Sequence, residues 1–190
     1  MAERIVVNNK IMRKITIQLL MVMTTILIGV SCTKDKGKII KDEIDEKNLT
    51  PCPEKASCQY LFTEDADLNE AGSGLITGPY RLFWADIQTP GVRTTLYIKA
   101  PMEGKTFSFN KQAILDGKVK LIRSCAACLM TPFRLIEDGY VKGINLRPDK
   151  QADQTRWLLE AEIILEAIGQ PAKRDTLHVK QYFDPNFVFN

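Results

Sequence analysis

The chain has 190 residues, with 26 Lys and Arg against 23 Asp and Glu, for a formal net charge of +3. Residues 1–31 hold Arg4, Lys10, Arg13, Lys14 and Glu3, so the remainder carries 22 basic and 22 acidic side chains. A neutral remainder with no basic stripe lacks the electrostatic footprint of a nucleic-acid binder, and no nucleic-acid partner is expected.

The first element is apolar. Arg13-Lys14 precede the run Ile15–Ser31, and no charge falls before Lys34. The run is shorter than the roughly 20 residues of a bilayer-spanning helix. A basic start, an apolar core and small residues at its end predict a signal peptide over residues 1–31. Met12-Arg13-Lys14 is the more compact basic start, so Met12 is the expected initiation site.

The run closes on Gly29-Val30-Ser31-Cys32. A small residue followed by a single Cys at the end of such a run resembles the signal peptide of Gram-negative bacterial lipoproteins. Gly29 departs from the large aliphatic residue usual three places before the Cys. The resemblance covers the signal and the segment behind it. It implies cleavage before Cys32, acylation of Cys32 and anchoring in the envelope membrane through that lipid. Thr33 rather than Asp after the Cys implies the outer membrane. The domain beyond resembles the small uncharacterised envelope lipoproteins of that class in its general character only.

Residues 32–51 come next, dense in mixed charge: Lys34-Asp35-Lys36, Lys41-Asp42-Glu43, Asp45-Glu46-Lys47. So few apolar side chains do not offset the entropy of ordering, which predicts a flexible tether. Residues 52–190 suffice for one globular domain with its own core.

In that domain, alternation of period two dominates. Strands are predicted over Tyr80–Ile87 and Val92–Ala100 around Thr89-Pro90-Gly91, then over Lys105–Asn110 and Lys118–Arg123. A short helix over Lys111–Leu115, capped by Asn110, lies between the last two. Phe133–Ile136 and Tyr140–Leu146 flank Glu137-Asp138-Gly139, which reads as a hairpin turn. Trp157–Ile168 is ambiguous. Its Leu, Glu and Ala content favours helix. As a strand it aligns Trp157, Leu159, Ala161, Ile163, Leu165 and Ala167 on one face, with Glu160, Glu162 and Glu166 opposite. As a helix it groups Leu158, Ala161, Leu165 and Ile168, and the glutamates break the stripe. Strand is the better reading. Asp175–Phe183 alternates again. The fold expected is mainly β, an antiparallel β-sandwich, with a small β-barrel as the alternative.

The chemistry-bearing residues are few. Cys52, Cys58, Cys125 and Cys128 form an even set in an exported domain, which predicts disulfides, either local (Cys52–Cys58 with Cys125–Cys128) or crossed. The same four could make a zinc site, although the first spacing is loose for it. Cys125-Ala126-Ala127-Cys128 could be a redox pair, but no βαβ pattern surrounds it. His178 is the only histidine and falls beside Lys180 on the expected solvent side. Glu160, Glu162 and Glu166 match the wet face of a strand better than a catalytic or calcium cluster. Gly72-Ser73-Gly74 lacks the Lys of a phosphate loop. No cofactor and no catalytic set is expected. The expected function is a membrane-anchored, non-enzymatic binding or assembly component with an envelope protein or a glycan as partner. The alternative is an envelope redox or zinc protein using the four cysteines.

Overall fold

A computed structural model describes residues 44–72, 74–126 and 131–186. Cys32, the signal peptide, Cys128 and Phe187 lie outside the described residues. The rest is mainly β, as the alternation predicts. Nine strands follow one another: β1 (Ser57–Leu68), β2 (Leu75–Thr77), β3 (Tyr80–Thr89), β4 (Val92–Pro101), β5 (Thr106–Phe109), β6 (Val119–Cys125), β7 (Phe133–Asn145), β8 (Trp157–Ala167) and β9 (Gln170–Pro185). Between β5 and β6 lies α1 (Lys111–Ala113), which runs into a wider turn over Ile114–Lys118. The Asn110 side chain caps α1 by accepting from the Ala113 N–H at 3.2 Å.

The strands form one continuous sheet in the order β5-β7-β8-β9-β1-β3-β4-β6, with β2 paired to β1. The pairings are antiparallel except β1 with β9, which run parallel over Leu61↔Asp184 and Phe62↔Pro185. The sheet curls so that its halves face each other over one core, making a half-barrel. Phe83 of β3 is the meeting point. Its ring centroid lies 5.4 Å from that of Trp157 in β8, 5.6 Å from Phe107 in β5 and 5.7 Å from Phe183 in β9. All four are buried. Burying one such side chain contributes about 1.5–3 kcal/mol. The sandwich expectation and its barrel alternative thus meet: two antiparallel halves pack face to face but join through β9–β1.

Turn chemistry sets the hairpins. Pro90-Gly91 joins β3 to β4 with Thr89 opposite Val92, and Gly91 has φ 88°. Proline then glycine with positive φ is the type II pattern.

The fold departs from the sequence reading at four places. Glu137-Asp138-Gly139 is no hairpin turn. Phe133–Leu135 and Gly139–Asn145 both pair with β8, and the register shifts between Leu135 and Gly139. The segment is a bulge inside one strand, at which Gly139 has φ 127°. Second, β1 is not among the strands predicted from alternation, which Glu64-Asp65-Ala66-Asp67 interrupts. In the fold Asp65 sits at φ 52° in a register shift between Thr63 and Ala66, while Glu64 and Asp67 pair with Arg81 and Lys99. Third, the expected tether of residues 32–51 is docked over its last part. Ile44 is buried. The Thr50 N–H donates to Lys180 O, Lys180 N–H to Thr50 Oγ1, and Gln181 Nε2 to Thr50 O, each at 2.9 Å. Tyr182 donates to Glu46 at 2.7 Å.

Fourth, β8 is a strand as preferred, and its odd-numbered face is buried. Leu158 and Glu166 on the other face are buried as well, while Ile168 is 54% exposed. Leu158 lies between Ile144 and Tyr182. Glu166 is held by Arg134 across the strands at 2.6 Å. That face is therefore not uniformly wet.

Candidate binding groove

The sequence-predicted residues come first. Cys52 and Cys58 are bonded to each other, with Cα atoms 5.9 Å apart, which forms the first of the two local pairs and excludes the crossed pairings. Cys125 is disulfide-bonded as well. The Cys52–Cys58 bond joins the docked Glu46–Thr50 segment to the start of β1. A four-thiolate zinc centre needs both sulfurs free, and they are not. His178 is exposed, with Nδ1 3.7 Å from Glu162. The three glutamates of β8 do not converge on one point. Glu160 accepts from Tyr140 at 2.7 Å, Glu162 faces His178 and Glu166 holds Arg134. Burial, the hydrogen bond to Glu160 and the charges of Glu160 and Glu162 push the Tyr140 phenol up to about 12. No group of three His, Cys, Asp or Glu able to hold a metal occurs among the described residues. No helix among them is long and apolar enough to cross a membrane. The large aromatic side chains are mostly core: Phe83, Trp84 and Trp157 are buried, and Tyr80, Tyr97 and Tyr182 are partly so.

A concavity with a largely apolar wall lies where the curled sheet fails to close. Among the described residues β6 pairs with β4 alone. On the far side, β5 reaches only Val141–Ile144 of β7, so Phe133–Leu135 bonds to β8 and to no second strand among the described residues. Two free strand edges therefore border one seam. A groove of about 440 Å³ fills it, with Leu121 and Ile122 on one side, Phe133 and Leu135 on the other, and Leu165 at its floor. Leu121, Phe133 and Leu135 are half-buried and pack against the main core, so the groove opens onto core side chains.

The groove continues past Arg123 into a second hollow of about 490 Å³ that includes Thr94 and Lys173. Arg123 stands at the junction. Its Nη1 lies 3.1 Å from Asp175 of β9, and its guanidinium lies 5.5 Å from the Phe133 ring centroid. One end is thus apolar and the other carries Arg123 and Lys173. Each part falls within the roughly 300–1,000 Å³ of ordinary ligand pockets.

Another hollow lies where β1 and β9 splay, bordered by Tyr60, Arg156, Tyr182 and Asp184. There Arg156 is spent on Asp184 at 2.6 Å and stacks on Tyr182. Its polar groups already serve one another. The β6–β7 seam combines unpaired strand edges, among the described residues, with an apolar floor.

Sequence reasoning placed Leu121 and Arg123 on a strand without a role. Nothing local marks them, because the seam exists only through the order of strands in the sheet. Compared with protein-family models, curated proteins and solved structures, the chain matches none.

Proposed function

We propose that this chain is an envelope protein, held to the membrane by a lipid on Cys32, that binds a partner in the β6–β7 groove without transforming it. The groove is the observation that carries the binding part. It is sized for a ligand, it presents apolar side chains continuous with the core, and its cations sit at one end. The anchoring part rests on the resemblance of Gly29-Val30-Ser31-Cys32 to a lipoprotein signal, and Thr33 rather than Asp after the Cys favours the outer membrane. A redox or zinc role for the cysteines is the weaker reading, since Cys52 and Cys58 are spent on each other.

Two experiments test the two parts. Cells fed a labelled fatty acid should label the protein, and Cys32→Ala should abolish the label and either free the domain from the membrane or leave the precursor uncut. Normal processing and membrane retention of Cys32→Ala without label would reject the anchor. For binding, a photo-crosslinking side chain at Leu121 or Leu135 should capture envelope material in cells. The same side chain at Thr176, on the exposed outer part of β9, should not. Equal yields from all three positions would reject the groove.

A further inference from the structure

We infer that the occupant of the β6–β7 seam is an extended peptide that adds a strand to the sheet and sets an acidic group against Arg123 and Lys173. This inference rests on the binding function proposed above and names the chemistry of the partner. The first argument is backbone hydrogen bonding. Among the described residues, Val119–Ser124 of β6 has strand partners on its β4 side only, and Phe133–Leu135 of β7 on its β8 side only. Each edge presents N–H and C=O groups toward the seam. An acyl chain or an aromatic ligand would leave those groups unpaired, whereas an extended peptide pairs with them while its side chains enter the groove.

The second argument is the side-chain pattern. A strand points alternate residues to the same face. Leu121 of β6 and Leu135 of β7 flank Leu165, which is 2% exposed at the floor. Every second residue of the guest would meet this apolar surface, and the residues between would face water. The third argument is charge. Arg123 and Lys173 border the continuation of the groove, and among the described residues that line it none is acidic, Asp175 meeting Arg123 from outside the lining. Arg123 spends Nη1 on Asp175, and a guanidinium has five donors. The guest is therefore a short segment of alternating apolar residues with a Glu, an Asp or a terminal carboxylate near the Arg123 end.

The test uses the full-length protein in detergent micelles. Phage-displayed random heptapeptides are selected on it, with counter-selection on Arg123→Glu. The enriched peptide is synthesised with and without N-methyl groups on alternate amides. The expected result is an alternating apolar sequence with an acidic residue, bound one to one. Its binding should slow amide exchange within 119–125 and 133–135, weaken at least tenfold with Arg123→Glu or with the exposed Lys173→Glu, and vanish on N-methylation. Unchanged circular dichroism of the Lys173→Glu variant separates lost binding from lost folding. The inference is overturned if no peptide is enriched, if the N-methylated form binds equally, or if exchange slows elsewhere. Cross-links from Leu121 and Leu135 keep the two levels apart. Adducts with lipid or glycan alone would overturn the peptide and leave the groove a binding site. No adduct at all would take the groove down with it.

Discussion

Arg81 stacks over Trp157: its guanidinium carbon lies 4.5 Å from the ring centroid, and its Nη2 lies 2.7 Å from Glu64. The Arg81 side chain is 8% exposed and also donates to the carbonyls of Pro101 and Met102. A cation is thus placed at the margin of an aromatic core, neutralised by a residue of the β1 bulge. Glu64→Ala leaves that charge buried without its carboxylate and should cost about 3 kcal/mol, whereas Arg81→Met, which removes the charge and keeps the bulk, should cost less. Denaturant titration of both variants decides it. An equal or larger loss for Arg81→Met would mean that the pair itself, rather than charge compensation, stabilises the site.

The register of β8 predicts a second contrast. Ile163→Asp puts a carboxylate among core side chains and should unfold the domain at room temperature. Leu158→Asp should be nearly as damaging, because Leu158 is fully buried in the strand. Glu162→Lys should stay within about 0.5 kcal/mol of the parent. Thermal melts check the order, and a damaging Glu162→Lys would contradict the alternation.

The bulge of β7 predicts the effect of a methyl group. Gly139 has φ 127°, and a Cβ there would lie 2.5 Å from the Glu162 carbonyl oxygen. Gly139→Ala should cost about 2 kcal/mol through strain and displacement of the β7–β8 ladder. Gly91→Ala has open space around the added Cβ. It should lose only the smaller conformational penalty of positive φ, which unfolding curves can compare directly.

Acid should unmask the Asp86 site. Burial alone would raise this carboxyl. Two 2.8 Å bonds from Arg93, a 3.0 Å bond from Thr95 and the Arg93 charge together hold it below its ordinary 3.8. A depressed folded-state value stabilises the protein above the unfolded value, and that stabilisation fades as pH falls through the folded value. Asp86→Asn should therefore be less stable than the parent at pH 7, and the gap should close as pH drops below about 3.8. A gap that stays constant from pH 7 to pH 2 would assign the loss to geometry instead.

The Cys52–Cys58 bond closes a short loop, with six residues of sequence separation. On the chain-entropy model a loop that short gives about 2–2.5 kcal/mol. Cys52→Ser with Cys58→Ser should cost about that much and should loosen Thr50 from Lys180, read as faster amide exchange at both residues. Unchanged melting of the double variant in and out of reductant would show the bond to be idle.

The sequence by itself determined the β character, most strand positions and the buried side of β8. Each rests on a local rule: alternation fixes which side chains share a face, and Pro-Gly or Asn at a fixed place fixes a turn or a cap. The strand over Trp157–Ala167 is the clearest instance, because its periodicity contradicted its propensity and the periodicity prevailed. Tertiary structure alone decided the rest. Glu137-Asp138-Gly139 became a bulge because both flanking segments found the same partner strand. Glu64-Asp65-Ala66-Asp67 lies within a strand in which Glu64 pairs with Arg81 of β3 and Asp67 with Lys99 of β4. The groove depends on which strands are neighbours. Leu121, Phe133, Leu135 and Leu165 border one seam because β6 ends the strand order on one side and β5 leaves Phe133–Leu135 of β7 uncovered on the other, and edge placement is a property of strand order that no local pattern encodes.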